Sequence, residues 1–163
     1  MSLSRILIFL AVLIPIAATG VAEAKTSHEG WPRRTGVLRI AANHDTTFHG
    51  TRRNDELLGG HGNDTLVGGP GGDVLWGDQH PSGNTTVQHD TMVGGPGNDF
   101  IYASHGRNDI DAGSGNDVIH AHFGTGGVID CGSGYDVVYL SHRSRPHYRL
   151  IHCERISYFT LGY

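Results

Sequence analysis

Four aspartates, Asp73, Asp99, Asp117 and Asp136, each close a six-residue stretch with glycine at its second and fourth positions, and Asp55 closes a weaker one. Gly68-Gly69-Pro70-Gly71-Gly72-Asp73 and Gly94-Gly95-Pro96-Gly97-Asn98-Asp99 are the clearest. Asp64 and Asp90 end two further stretches, and Asn108 and Gly127 hold the same place in two degenerate ones. A tight turn of this composition points backbone carbonyls and one carboxylate into the same space. Such an all-oxygen donor set suits a hard divalent cation. Calcium takes six to eight oxygens at about 2.3–2.6 Å in adaptable geometry. Two turns held one above the other could supply such a shell. Without an ion, carboxylates stacked about 4.8 Å apart would repel, so metal binding and folding are expected to be one event. The competing reading is plain turn chemistry, because Asn-Asp pairs cap turns without metal.

The elements that must hold these turns follow from a period of nine. Gly59 to Val67 is followed at once by Gly68 to Trp76, and Gly94 to Tyr102, Ala112 to His120 and Cys131 to Tyr139 repeat the pattern. The eighth position is apolar throughout: Leu57, Leu66, Leu75, Met92, Ile101, Ile110, Ile119, Ile129 and Val138. Nine residues are too few for a strand, a helix and two turns. They suffice for a six-residue turn and a three-residue strand. In that strand the side chains alternate, so the eighth residue points inward and its neighbours outward. A lone inward residue makes no core, but stacked copies bury a continuous apolar file.

These nonapeptides resemble the RTX, or haemolysin-type, calcium-binding repeat, G-G-x-G-x-D-x-U-x with U apolar. The resemblance covers roughly residues 50–139. It implies an all-β fold, a parallel β-roll (a right-handed β-solenoid) in which two nonapeptides make one coil and two parallel sheets lie back to back. It implies Ca2+ between successive turns of one edge. The ligands would be the turn aspartates with backbone oxygens of Gly68, Gly69, Pro70 and Gly71, of Gly94, Gly95, Pro96 and Gly97, of Gly113, Ser114 and Gly115, and of Gly132 and Gly134.

Alternate copies belong to alternate edges, with one ambiguity. Gly77 to Val93 holds either one repeat with an enlarged turn or two repeats, one degenerate. Gly77 to Asn84 has no apolar eighth position, which favours the enlarged turn. The first edge then carries Asp55, Asp73, Asp99, Asp117 and Asp136. The second carries Asp64, Asp90, Asn108 and Gly127, a decaying series. About four ions are expected on the first edge and between zero and two on the second, near Asp64 and Asp90.

Outside the repeats, Arg5, the apolar run Ile6 to Ala18 and Ala22-Glu23-Ala24 read as a secretory signal peptide cut after Ala24. Residues 25–49 are expected to form an N-terminal segment and capping first coil, with Val37 to Ile40 and Thr46 to Phe48 as its strands. Residues 140–163, basic and aromatic, are expected to cap the other end. In a secreted chain Cys131 and Cys153 are expected to pair. The arrangement Cys131 to Asp136 followed by Cys153-Glu154 also resembles the ending of secreted actinobacterial repeat proteins. The expected localisation is extracellular, with no membrane attachment after signal cleavage.

Twenty-five glycines in 163 residues, about twice the ordinary share, exclude a helical bundle. A formal net charge of -4 makes no case for nucleic acid. No H-E-x-x-H, G-x-S-x-G or Walker loop is present, and no catalysis is expected. One outer sheet face carries Leu58, Val74, Trp76, Phe100, Tyr102, Val118, His120, Val137 and Tyr139. It is either covered by a terminal segment or offered to a partner such as a cell-envelope glycan or protein, with Trp76 and Tyr102 stacking on sugar rings. His61, His89, His105 and His122, four of 12 histidines, fall in second-edge turns, where zinc or copper is conceivable and plain surface histidine is the default.

Overall fold

The computed structural model describes residues 30–78 and 88–158. The expected signal peptide lies outside them. Among the described residues the chain is all-β apart from one 3₁₀ turn, Arg145–His147. Its strands are β1 (Leu38–Ile40), β2 (Thr47–His49), β3 (Glu56–Leu58), β4 (Thr65–Val67), β5 (Val74–Trp76), β6 (His89–Pro96), β7 (Phe100–Tyr102), β8 (Arg107–Ser114), β9 (Val118–His120), β10 (Gly126–Asp130), β11 (Val137–Leu140), β12 (Tyr148–Ile151) and β13 (Arg155–Tyr158). The odd-numbered strands form one sheet and the even-numbered strands the other, each in chain order. Every pairing is parallel. The result is a parallel β-solenoid, the architecture the repeats imply.

The register shows how the coils are counted. Leu57 pairs with Leu75, one coil of 18 residues. Leu66 pairs with Met92 and Leu75 with Ile101, a step of 26. The residues after Gly77 are therefore one enlarged turn, and residues 79–87 of it lie outside the described part. Most strands have the three residues expected. β6 and β8 run to 8 because the first turn positions keep pairing, Gly95 with Gly113 and Pro96 with Ser114.

All nine apolar eighth positions are buried, eight of them at 0% exposure. They line the space between the sheets in one cluster. Each contributes roughly 1.5–3 kcal/mol of burial, and each is satisfied only by the coils on either side.

Beyond Val138 the sequence pattern stops but the coil does not. Leu150 falls opposite Ile129 and Ile156 opposite Val138, so β12 and β13 extend both sheets. Cys131 takes the first position of the fifth first-edge turn and is fully buried. Its disulfide to Cys153, with the Cα atoms 5.2 Å apart, ties that turn to the final coil. Replacing both cysteines by serine should cost about 3 kcal/mol. The loss should show first as faster amide exchange in β12 and β13 and in a lower urea midpoint.

The outer face of the odd-numbered sheet is partly covered from the N-terminal side. Trp31 is buried and lies against Trp76 and Tyr102 at 6.1 and 5.6 Å between ring centroids. Its indole N–H donates to the Tyr102 hydroxyl at 2.8 Å. Arg34 faces Glu56 at 3.5 Å. Below Trp31 the ring column continues through Tyr102, His120 and Tyr139, stacked 4.7 and 4.8 Å apart. Trp31 thus covers part of Trp76 and Tyr102 from the N-terminal side.

Candidate metal centre

The five first-edge aspartates form a single row. One oxygen of each accepts a backbone N–H one coil earlier, from Val37 for Asp55 and from the preceding aspartate of the row for the other four. Asp55 N–H donates to Asp73 Oδ1 at 2.7 Å, Asp73 to Asp99 at 2.7 Å, Asp99 to Asp117 at 2.8 Å and Asp117 to Asp136 at 2.8 Å. The row then gains a member not expected from the repeats: Asp136 N–H donates to Glu154 Oε2 at 3.0 Å. The signal for Glu154 was its place directly after Cys153, which the disulfide ties to the turn that Asp136 closes.

A second ladder runs the opposite way beside the first. Asn54 Oδ1 accepts the N–H of Gly72 one coil later, Asn98 that of Asn116, and Asn116 that of Tyr135, at 2.8–2.9 Å. On the other edge Asn63 accepts from His89 at 2.8 Å. The Asn-Asp pairs therefore cap turns across coils as well as within them. The aspartate reaches back and the asparagine reaches forward.

The other carboxylate oxygen separates the turns. Asp73, Asp99, Asp117 and Asp136 each have a buried Oδ2 with no hydrogen-bond donor. In Asp55 the same atom accepts the Thr51 N–H at 2.5 Å and the Thr51 hydroxyl at 3.1 Å. The backbone explains the difference. The four turns with an unmatched oxygen have glycine at positions two and four with positive φ, for example Gly95 at 113° and Gly97 at 148°. That conformation turns the second N–H away from the aspartate; Gly69 N–H donates instead to Gly94 O one coil on, at 2.9 Å. It also admits only glycine at position four, where a Cβ on Gly97 or Gly115 would strike the carbonyl of the coil before. Thr51 and Arg53 stand at these two places in the Asp55 turn, which caps its own carboxylate.

Burial without a donor disfavours the charged form. It pushes Asp99 up to about 8, with Asp117 and Asp73 adding repulsion. Asp73 and Asp117 rise to about 6 for the same reason, and Asp136 rises as well.

The second edge places Asp64, Asp90, Asn108 and Gly127 in register, as expected, but protein donors meet its carboxylates. Asp64 accepts Thr46 N–H at 2.9 Å and Gly60 N–H at 3.0 Å. Asp90 accepts Asp64 N–H at 2.8 Å and the Ser104 hydroxyl. Ser104 Oγ also lies 2.8 Å from Asn108 Oδ1. Ser104 was not singled out by the repeat, since it stands at a turn position with no assigned role. Burial pushes Asp90 up to about 7 even so.

The four second-edge histidines go to different neighbours. His61 is 3.7 Å from Asp78 and His89 2.9 Å from Asp109, while the other two share Phe123, His105 stacked on it at 5.3 Å and His122 tilted against it at 4.1 Å. Among the described residues no three His, Cys, Asp or Glu side chains come together as a metal-holding group. The first edge instead has one unmatched carboxylate oxygen in each of four turns, amid backbone carbonyls. Hard, all-oxygen and spaced coil by coil, that donor set fits calcium and not a soft or imidazole-seeking metal.

Comparison with curated proteins and with solved structures gives no match. A family model does match: the RTX calcium-binding nonapeptide repeat, in four copies, over residues 41–79 and 85–119. Those residues span β2 to β9, the middle of the solenoid and most of the row of unmatched carboxylates. The chain therefore carries RTX calcium-binding nonapeptide repeats over the middle of its solenoid.

Proposed function

We propose that this is a secreted calcium-binding repeat protein that folds on taking up about four ions along its first edge and catalyses nothing. The observation that carries this reading is the set of four buried, donorless oxygens on Asp73, Asp99, Asp117 and Asp136. Calcium would be held by these oxygens and by carbonyls of the glycine turns around them, and it would supply the positive charge that the row lacks. The chain's own part is to hold the turns open. Each Oδ1 is tied to the neighbouring coil, so each Oδ2 is presented in a fixed place. The second edge, with its carboxylates already capped, takes no ion in this reading. The signal-like N-terminus and the disulfide support an extracellular setting, where calcium is plentiful.

The test is a calorimetric calcium titration of the chelator-treated full chain, followed in parallel by circular dichroism. Saturation near four ions with a concurrent gain of β signal is expected. A chelated chain that keeps its whole β signal at neutral pH, or one that takes up no calcium, overturns the reading.

A further inference from the structure

The turn Ala121 to Gly127 has lost the metal pattern altogether: glycine stands at the aspartate position and no carboxylate remains. At this corner of the second edge the fold builds a cavity of about 350 Å³ between that turn and the segment before β12. Its lining includes His122, Phe123 and Thr125 from the turn, and Arg143 and His147 from the segment. Among the described residues no carboxylate lines it.

Among the described residues three of these side chains lack a protein hydrogen-bond partner: His122, whose ring nitrogens are buried, and Arg143 and His147, which are exposed. Both ring nitrogens of His122 are buried and lack a partner. Leaving such groups unmet is costly. Among the described residues no side-chain hydrogen bond or ion pair engages Arg143 or His147. Elsewhere the structure does pair basic side chains it places beside acids, as with His89 and Arg107 on Asp109 and His152 on Asp130. The corner therefore combines positive charge, unused donors and no internal anion. It also has an apolar wall. Phe123 is 50% exposed although His105 stacks on it.

We propose that this cavity binds a small organic oxyanion, a carboxylate or phosphate ester whose charged end meets Arg143, His147 and His122 and whose apolar part lies on Phe123. Guanidinium and imidazole groups match the oxygens of either anion, and the volume suits a group of roughly the size of a substituted benzene ring. The site is independent of the calcium row, which lies on the opposite edge.

The test uses the calcium-saturated full chain with three probes: benzoate, phenyl phosphate and inorganic sulfate. Titration is followed by the His122 ring proton signals and by calorimetry. Saturable binding of benzoate or phenyl phosphate is expected, tighter than that of sulfate. The stronger of the two identifies the anion the site prefers. Arg143→Ala should weaken it by about tenfold, as for loss of one charge-assisted hydrogen bond, with calcium stoichiometry and thermal midpoint unchanged. Phe123→Ala should weaken the two aromatic probes and leave sulfate alone. The proposal is overturned if no probe binds at millimolar concentration or if Arg143→Ala binds as tightly as the parent. Sulfate binding as well as the aromatic probes also overturns it, since an adventitious ion only would then be indicated.

Discussion

Stripped of calcium, the chain should be least folded near pH 8 and should recover β structure as the pH is lowered toward 4. The sign follows from the row of aspartates. In the unfolded chain each has the ordinary value of 3.8, whereas in the metal-free fold Asp99 is raised to about 8 and Asp73 and Asp117 to about 6. Between those limits the folded state holds more protons than the unfolded one, so stability falls as the pH rises. The contribution is complete below the unfolded value and is lost as the pH passes through about 6 and then about 8. On the second edge Asp90, raised to about 7, acts in the same direction. Calcium reverses the dependence, because an ion and a proton compete for the same oxygen. Calcium uptake by the metal-free fold that forms at acid pH should therefore release protons from the row, and apparent affinity should rise with pH. Circular dichroism of the chelated chain across this range, with calorimetry in two buffers of different protonation enthalpy, measures both effects. A chelated chain that grows more stable as the pH rises would falsify the account.

The second large effect is expected at the centre of the row. Asp99→Asn keeps an oxygen for the Asp73 N–H but removes the charge. It should lower the ion count by at least one and shift calcium-induced folding to higher calcium. Each lost site removes about 2.7 kcal/mol of stability when free calcium is a hundredfold above its dissociation constant. Asp99→Ala should be worse, since it also leaves the Asp73 N–H without an acceptor. Asn108→Ala is the contrast. It breaks bonds to Ser104 and to the Tyr148 hydroxyl and so should lower stability by about 1–2 kcal/mol. The number of ions bound should stay as it was. Equal loss of calcium from Asp99→Asn and Asn108→Ala would show that the two edges are not chemically distinct.

Much of this was open to a reader of the residues alone. The period of nine, the apolar eighth positions and the aspartate at the end of each glycine turn are local features. A glycine at position four announces a backbone no other residue tolerates, and a leucine or isoleucine between two outward residues announces an inward strand. From these the coil, the two parallel sheets and the alignment of Asp55, Asp73, Asp99, Asp117 and Asp136 follow. Even the enlarged turn after Gly77 was legible, because its first eight residues offer nothing to bury.

What the sequence could not decide is which of five similar aspartates has oxygen to spare. Asp55 and Asp99 are the same residue at the same position. One is capped by Thr51 and the other by nothing, and the difference appears only once the backbone of each turn has been laid down. The same holds for Glu154, which joins the row from outside the repeat, for Ser104 on Asp90, and for Trp31, which crosses 71 residues to reach Tyr102. The repeat determined that a column of acidic turns would form, because each nonapeptide encodes its own turn and its own inward residue. Only the stacking of the coils decided where charge is left unmatched, because the donor that would match it comes from the second turn position or from a neighbouring coil some 18 to 26 residues away.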